Sequence, residues 1–291
     1  MTDGTTRDRD GFCVIIPAHN EESVVGRCLS AFLPDLEPGE ASVVVVPNGC
    51  TDSTEAVARQ HNGVDVVVLS HSSKSAALNA GDAFADGFPR IYLDADIVIS
   101  ADTLRALAGA LSAPGALVAA PRVTFALNGR PWTVRAFYDV YGRLPYVADG
   151  LIGLGLYGLS REGRERFESF PPVTADDLFV QRLFEPSERT VLDAHSFAVQ
   201  TPRTTRSLIA VRTRTAFGNA ELHGWAENRP GRAAERSTDT TLAALVNLLR
   251  RNPRLMPAVA VYAAVTIAAR VAARRRSARH WQRDDTTRAD A

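Results

Sequence analysis

The sequence predicts an α/β fold in which a mostly parallel central sheet carries helices on both faces. From residue 12 onwards, short apolar segments rich in β-branched residues alternate with segments of helical periodicity. The strand segments are apolar throughout, which is typical of parallel strands that are buried on both faces. The chain has 291 residues, of which 45% are hydrophobic, and this is enough for one large domain with an appendage.

The overall charge and the cysteines argue against several classes of protein. The 33 basic residues balance the 33 acidic ones, so no net charge draws the chain to nucleic acid or to an anionic membrane. Cys13, Cys28 and Cys50 form no CxxC pair, which predicts neither a disulfide framework nor a zinc site. Residues 1–10 are polar, lack the apolar segment of a signal peptide and are expected to form a disordered tail. A cytoplasmic location is therefore expected.

Residues 11–100 are predicted to form the first half of the domain. The four predicted strands are "FCVIIPA" (12–18), "SVVVVPNG" (42–49), "DVVVLS" (65–70) and "RIYLDADIVI" (90–99). Helices between them are indicated by apolar residues at helical spacing, as at Val25, Cys28 and Leu29. Asp52 and Glu55 lie three residues apart, which predicts a capping box at a helix start.

Residues 101–226 are predicted to form the second half, which is less regular. The predicted strands are "ALVAAPRVTF" (116–125), "LIGLGLYGLS" (151–160) and "VLDAHSFAVQTP" (191–202). The predicted helices are "WTVRAFYDVYGRL" (132–144), "TADDLFVQRLF" (174–184) and an arginine-rich segment over 203–226. The strand at 151–160 leads into "REGRERFESF" (161–170). Pro230 and Gly231 indicate a linker near 226–238, so residues 227–291 are predicted to be a linker and C-terminal helices.

The last apolar segment leaves two interpretations open. "LMPAVAVYAAVTIAA" (255–269) has fifteen residues without a charge, whereas a helix that spans a membrane needs about twenty. It is therefore expected either to pack against the domain or to lie on the inner membrane face. A spanning helix is the least favoured interpretation.

Asp94 and Asp96 follow an apolar strand, and the carboxyl ends of parallel strands form the functional edge of such sheets. Two carboxylates at positions i and i+2 can bind Mg²⁺ or Mn²⁺ through oxygen. The alternative is a strand end that turns into solvent, with Asp96 as a cap. A bare D-x-D is weak evidence, since Asp8 and Asp10 form another in the polar tail.

Five segments together resemble the family 2 glycosyltransferases. In chain order they are "VIIPAHNEE", "VVVVPNGCTDST", "KSAALNAG", "YLDADIV" and "TADDLFV". The resemblance covers roughly residues 12–220. It implies a GT-A (nucleotide-diphosphosugar transferase) fold, with residues 11–100 as the nucleotide-binding half and 101–226 as the acceptor and catalytic half. It also implies a nucleotide-sugar donor, a divalent Mn²⁺ or Mg²⁺ ion and inversion at the anomeric carbon.

Carried over by position, the resemblance implies a role for each matching residue. Those expected to bind the donor are Pro17, Ala18, Asn20, Glu21, Asn48, Lys74, Asp94, Gly155 and Arg214. Asp96 would bind the metal directly, with Asp94 near the metal or the ribose. Asp177 would be the general base, with Asp176 beside it.

Alternatives stay open for several of these residues. Asn20 is also suited to cap a helix, and Lys74, the single lysine of the chain, suits a solvated surface position. Asp176 and Asp177 also suit the dipole at a helix N-terminus. Asn48 stands where the family commonly has an aspartate that reads the base. A carboxamide both donates and accepts hydrogen bonds, so a pocket is retained, while the identity of the base is left open between UDP- and GDP-sugars.

The predicted function is an inverting, metal-dependent transfer of one sugar to an unidentified acceptor. Where processive members of the family carry Q-x-x-R-W, this chain keeps only Arg214, which argues against polymer synthesis. The acceptor would be a glycan, a lipid or a small molecule, including a lipid-linked or cell-envelope glycan; nucleic acid is not expected. The alternatives are a sugar nucleotidyltransferase and a non-catalytic protein that binds nucleotide-sugars.

Overall fold

The structure, a computed structural model, describes residues 11–148, 154–227 and 237–275. Within these ranges seven strands form one sheet in the order β3-β2-β1-β4-β6-β5-β7. The strands are β1 (Phe12–Ala18), β2 (Ala41–Pro47), β3 (Val64–Val66), β4 (Arg90–Leu93), β5 (Val118–Ala126), β6 (Leu156–Leu159) and β7 (Arg189–Gln200). Only β6 runs antiparallel to its neighbours, β4 and β5. The mostly parallel sheet predicted from the sequence is confirmed.

Helices cover both faces of the sheet because each inner strand is apolar on both sides. On one face α1 (Val25–Ser30), α2 (Thr54–Arg59) and α4 (Ala101–Ser112) pack on side chains such as Val14 and Ile16. On the other face α3 (Lys74–Phe84) and α8 (Asp176–Leu183) pack on side chains such as Cys13 and Ile15. Alternate residues of β1 therefore enter two different cores.

A third apolar cluster lies between helices of the second half. It joins α5 (Trp132–Tyr141), α9 (Thr205–Glu227) and α11 (Met256–Arg274). The ring of Phe137 on α5 stacks on the ring of Tyr262 on α11, with centroids 5.1 Å apart. The remaining described helices are α6 (Pro145–Ala148), α7 (Arg161–Arg164) and α10 (Ser237–Arg251), together with 3₁₀ turns at Leu33–Asp35, Pro186–Glu188 and Pro253–Leu255.

The carboxyl ends of β1, β2 and β4 meet at one edge of the sheet. β1 pairs with β2 on one side and with β4 on the other, both in parallel. The chain runs outwards from β1 through β2 to β3 and then returns to the other side of β1 at β4. The strand order therefore reverses between β1 and β4, and ligands of open α/β sheets bind in the crevice at such a switch point.

Two predicted elements differ from the structure. The fourth strand ends at Leu93 rather than Ile99, because the Asp94 carbonyl accepts a hydrogen bond from the Ile97 amide at 3.0 Å and closes a turn. The third strand, predicted over 65–70, is the shorter segment Val64–Val66. In the segment after β6, a helix extends only from Arg161 to Arg164, and Phe170 then exchanges two backbone hydrogen bonds with the Asn79 side chain.

The capping box predicted for Asp52 and Glu55 does not form. The Asp52 carboxylate accepts a hydrogen bond from the Thr54 amide at 3.0 Å, while Glu55 forms an ion pair with Arg59 one turn along α2. Glu22, from the loop after β1, accepts from the Ser53 amide instead. Residues 1–10, Gly153 and most of the predicted linker lie outside the described residues, so the proposed domain limits stay predictions.

Candidate active site

A cleft opens at the carboxyl ends of β1 and β4, between the first turns of α3 and α8. Six of the residues expected from the sequence line it, namely Pro17, Lys74, Asp94, Gly155, Asp176 and Asp177. Tyr92 and Tyr157 line it as well. The other expected residues, Ala18, Asn20, Glu21, Asn48, Asp96 and Arg214, are not part of its lining. The sheet edge thus collects acidic, basic and phenolic groups from four separate segments.

The centre of the cleft is an ion-pair cluster around Lys74. Its Nζ lies 2.8 Å from Asp94 Oδ1 and 3.1 Å from Asp176 Oδ1. Burial alone would lower the pKa of Lys74, but the carboxylates of Asp176, Asp94 and Asp177 outweigh it and raise that pKa above its ordinary value. Lys74 is therefore a permanent ammonium group, which can hold carboxylates or phosphates in place.

Asp176 is only 4% exposed, and this burial dominates its chemistry. Desolvation raises the pKa of its carboxyl to about 6, against the opposing charge of Lys74 and with further raising by Asp177 and Asp94. A carboxyl with such a pKa changes charge close to neutral pH. Asp176 therefore changes charge in a pH range where an unperturbed aspartate is already ionised.

Asn48 fixes the start of the helix that carries Lys74. Its side-chain nitrogen donates to the carbonyls of Ala18 at 2.9 Å and Val46 at 3.3 Å, and its side-chain oxygen accepts from the Ser73 amide at 3.1 Å. Ser73 in turn caps α3. The buried carboxamide that the sequence suggested for base recognition is therefore bonded to the backbone of three segments, and its observed role is to hold Lys74 at the cleft.

The loops after β1 and β2 are joined by polar contacts. Asn20 has a φ of 53°, and its side-chain oxygen accepts from the Thr51 amide at 2.7 Å. It does not cap α1, which begins at Val25. The buried residue Glu21 donates its amide to the Thr54 hydroxyl at 2.7 Å. These contacts hold the loop after β1 against the loop after β2, next to the end of β1 at Ala18.

Asp94 is held by the residue that precedes β6. Its amide donates to the Gly155 carbonyl at 2.7 Å. Gly155 has a φ of +96°, and a Cβ there would lie 3.1 Å from Asp94 Oδ2. Only glycine therefore satisfies both the backbone conformation and the close approach.

Of the two carboxylates expected to hold a divalent cation, Asp94 lines the cleft and Asp96 does not. Asp94 and Asp96 are half-buried and lie in the turn after β4. Among the described residues, no group of three or more His, Cys, Asp or Glu side chains converges into a complete protein cage. Two carboxylates with open positions are the ligand set that Mg²⁺ usually has beside a bound nucleotide.

Asp177 lies in the first turn of α8 at the mouth of the cleft. Its Oδ1 accepts from the Leu178 amide at 2.7 Å, and its Oδ2 accepts from the Leu154 amide at 3.4 Å. The side chain of Leu154 packs on the third apolar cluster. The carboxylate is thus oriented from both sides by backbone donors and remains half-exposed.

Tyr157, the second residue of β6, brings a phenol to the cleft. It is 2% exposed and stacks on Tyr92 with ring centroids 5.0 Å apart. Its buried hydroxyl has no hydrogen-bond partner among the described residues. Burial, with Asp176 as the nearest charge acting on it, raises the pKa of Tyr157 well above its ordinary value, so the phenol stays protonated and able to donate.

Arg212 and Arg214 lie on α9, away from the lining of the cleft. The Arg212 guanidinium packs over the rings of Tyr141, at 4.9 Å, and Phe137, at 5.5 Å. It is held by aromatic faces rather than by a carboxylate within the described part of the chain. The arginine kept from the processive motif, Arg214, is half-buried on the same helix.

The sequence matches the family model for glycosyl transferase family 2 over residues 13–158, which is half of the chain. Among curated proteins, it is similar to a 4,4'-diaponeurosporenoate glycosyltransferase of Staphylococcus aureus (strain MRSA252), with 25% identity over 205 residues. This match covers 67% of the present chain and 52% of the relative. The chain therefore spans about half the length of the curated relatives it matches.

Solved structures show the same fold. A mannosyltransferase from Pyrobaculum calidifontis, in complex with GDP-Man and Mn²⁺, superposes with a TM-score of 0.66 at 23% identity, covering 93% of this chain and 88% of the other. A glucosyl-3-phosphoglycerate synthase from Mycobacterium tuberculosis, in complex with Mn²⁺, UDP-glucose and phosphoglyceric acid, gives 0.52 at 20% identity over 71% and 77% of the two chains. The fold is the GT-A fold expected from the sequence.

Proposed function

Because the chain belongs to glycosyl transferase family 2, we propose that it transfers a single sugar, with inversion, from a nucleotide-diphosphate sugar to an acceptor hydroxyl. The observation that carries this proposal is the convergence of Lys74, Asp94, Asp176 and Asp177 in one cleft at the switch point of the sheet. An inverting displacement needs a bound diphosphate leaving group on one side of the sugar and a base on the other. The cleft offers candidates for both.

On the donor side, Asp96 and Asp94 would hold Mn²⁺ or Mg²⁺. When bound, such an ion neutralises the charge that develops on the leaving diphosphate. Lys74 adds a fixed positive charge beside Asp94. Pro17 and Gly155 supply a backbone surface without bulky side chains at the same place, where a nucleotide can approach closely.

On the acceptor side, we assign the general base to Asp177. Its carboxylate is half-exposed and oriented by the amides of Leu154 and Leu178. It would take the proton of the acceptor hydroxyl as the new glycosidic bond forms. Asp176 is buried against Lys74, so we assign it the role of holding Lys74 rather than of meeting the acceptor.

The relatives support the classes of substrate and location in this proposal. Related structures bind GDP-Man or UDP-glucose with Mn²⁺, which favours a UDP- or GDP-sugar donor here. The name of the curated relative, a diaponeurosporenoate glycosyltransferase, favours a lipid or small-molecule acceptor over nucleic acid. We propose a cytoplasmic enzyme, peripheral on the inner membrane face; the free thiols of Cys13, Cys28 and Cys50 suit a reducing compartment.

A ligand screen tests the donor half of the proposal. The melting temperature is measured with UDP-, GDP- and dTDP-sugars, with and without Mn²⁺, for the unchanged chain and for Asp96→Ala. At least one sugar nucleotide should stabilise the unchanged chain only with metal, since a ligand that binds the folded state raises its stability. Asp102→Ala is the matched control, because Asp102 is an exposed carboxylate on α4. If no nucleotide stabilises the chain, the proposal is wrong.

A second measurement separates binding from chemistry. Asp177→Asn keeps the size and hydrogen-bonding capacity of the side chain but removes its basicity. This variant should show the same metal-dependent stabilisation by donor and lose transfer to water or acceptor. Continued turnover by the variant would assign the base to another residue.

A further inference from the structure

The outward side of α11 is apolar along most of its length. Its exposed apolar residues include Met256, Ala260, Ala264, Ile267 and Val271, which recur at helical spacing, and its exposed charged residues are Arg270 and Arg274 near the C-terminal end. Met256 is 66% exposed and Ile267 is 62% exposed. The exposed side of a helix on a soluble domain normally carries polar and charged residues. No charged residue occurs between Met256 and Ala269, so this helix departs from that rule over more than three turns.

The inward side of α11 is already used in packing. Ala258, Tyr262, Val265 and Ala269 are buried against the third apolar cluster. One described helical segment, Pro253–Arg274, is long and apolar enough to cross a membrane, and 33% of its most apolar window is buried inside the protein. Because one side is fixed on α5 and α9, the helix lies along the domain and presents its other side outwards.

The preceding helix also exposes apolar side chains. Leu242 is 64% exposed and Val246, one turn later, is 40% exposed. The intervening Leu245 packs on the third cluster, so α10 also has an inward and an outward side. The outward-facing residues of α11, Met256, Ile267 and Val271, form what we call the C-terminal apolar face.

Charges of one sign flank this face. Between residues 240 and 275 the chain contains no Asp or Glu, and its charged residues are Arg250, Arg251, Arg254, Arg270, Arg274 and Arg275. None of these arginines forms a salt bridge within the described part of the chain. This is a local excess of positive charge in a chain whose formal net charge is zero.

We propose that the C-terminal apolar face is a docking surface for an anionic lipid bilayer, with α11 lying in the plane of the interface. The inward side of α11 is covered by the domain, and its outward apolar side chains can enter the interface of a bilayer while the flanking arginines contact anionic headgroups. Each arginine near an anionic surface strengthens binding about fivefold. A second copy of the chain would bring like charges together, so charge complementarity favours the lipid surface.

The helix that would dock is connected to the proposed base through the third apolar cluster. Tyr262, on the buried side of α11, stacks on Phe137, and both belong to the cluster on which Leu154 packs. The Leu154 amide donates to Asp177. This connection rests on the proposed function and points to an acceptor hydroxyl presented from the lipid phase. The lipid binding itself does not depend on catalysis.

Vesicle sedimentation tests the docking without donor or acceptor. The full chain is mixed with vesicles of phosphatidylcholine alone or of phosphatidylcholine with phosphatidylglycerol. We expect binding to the anionic vesicles, at least about tenfold weaker binding to the neutral ones, and weakening by added salt. Absence of binding to anionic vesicles would overturn the proposal, whatever the enzymatic activity.

Three sets of variants assign the binding to this face. Met256→Ser with Ile267→Ser and Val271→Ser, and separately Arg270→Gln with Arg274→Gln and Arg275→Gln, should each lower vesicle affinity more than about tenfold. Val68→Ser with Val98→Ser is the matched control, because these residues are 47% and 45% exposed elsewhere on the surface.

Folding and self-association are checked in the same variants. Circular dichroism should show an unchanged fold, since every substituted side chain is exposed. An equal loss of affinity in the control pair would overturn the proposal. So would a wild-type dimer that becomes monomeric in the Met256, Ile267 and Val271 variant, without any vesicle binding, because the face would then join two copies of the chain.

Discussion

Lys74 forms a 3.1 Å ion pair with Asp176 across the cleft between α3 and α8, and Asp176 is almost completely buried. The same ammonium group lies 2.8 Å from Asp94. One lysine therefore joins the carboxylate that follows β4 to the carboxylate that begins α8. Because the chain has a single lysine, this connection can be observed directly by methods that detect lysine alone.

Lysine labelled with ¹³C at Cε should give one side-chain signal by NMR, which reports the charge of Lys74. Burial lowers the pKa of this group, but Asp176, Asp94 and Asp177 raise it more. We expect no titration of the signal up to about pH 11, although an unperturbed lysine titrates near 10.4. The paired substitution Asp94→Asn with Asp176→Asn should bring the transition down into the measured range. A wild-type signal that titrates below 10.4 would contradict the ion-pair cluster.

The pKa of Asp176 predicts a pH dependence of stability. Its pKa is about 6 in the folded chain and 3.8 when unperturbed. The folded state therefore binds more protons between these values, and its stability should fall as the pH rises from about 4 to about 6. The contribution is on the order of 3 kcal/mol and becomes constant above that window.

Urea unfolding with a metal chelator present measures the contribution of Asp176 to the free energy of unfolding at each pH. The free energy of unfolding of the wild type, minus that of Asp176→Asn, should decrease across the window and then level off. The same difference for Asp102→Asn, an exposed carboxylate, should show no such fall. A difference for Asp176 that rises with pH would mean that Lys74 outweighs burial.

Tyr157→Phe should separate stability from substrate binding. The buried hydroxyl has no partner among the described residues, and an unsatisfied buried polar group costs about 1–3 kcal/mol. The variant should therefore be as stable as the wild type or more stable. If the hydroxyl donates to the bound donor or to a water beside it, donor affinity should fall about tenfold. A variant with lower stability and unchanged affinity would make Tyr157 a core residue only.

Gly155 and Gly115 both have a positive φ, so alanine substitutions at the two positions can be compared to test the role of Gly155 beside Asp94. Gly155 has a φ of +96° and Gly115 a φ of +89°, but only at Gly155 would a Cβ meet Asp94. Alanine at either position should cost about 1–2 kcal/mol of stability from the backbone conformation. Only Gly155→Ala should also weaken donor binding, measured by calorimetry with Mn²⁺ present. Equal donor affinity in both variants would remove Gly155 from the donor site.

The apolar strands of the first half could be predicted because each is a short β-branched segment between helical patterns. The position of Asp94 at the end of β4 followed from the same pattern. The limit of that strand was wrong because Ile97 and Ile99 are buried like strand residues, although they follow a turn. Hydrophobicity records burial, and it does not distinguish a strand from a turn that enters the same core.

Contacts between distant segments could not be predicted in this way. The strand direction of β6 depends on its neighbours, and an apolar segment does not reveal it. The hydrogen bonds from the Asn48 side chain to Ala18, Val46 and Ser73 join three segments of the chain. These segments become neighbours only through the order of the strands in the sheet. The family resemblance implied a role for Lys74 and another for Asp176, but it did not imply that the two side chains meet. Their ion pair follows from the packing of α3 beside α8.

The antiparallel direction of β6 has a consequence for how this protein can diversify. A strand that opposes its neighbours reaches the active edge with its beginning, so Gly155 lies there beside the end of β4. The residues before Gly155 lead directly into β6, and β6 pairs with none of β1, β2 and β3. A change of chain length before Gly155 would therefore leave the pairing of β1, β2 and β3 unaltered, because none of these three strands pairs with β6.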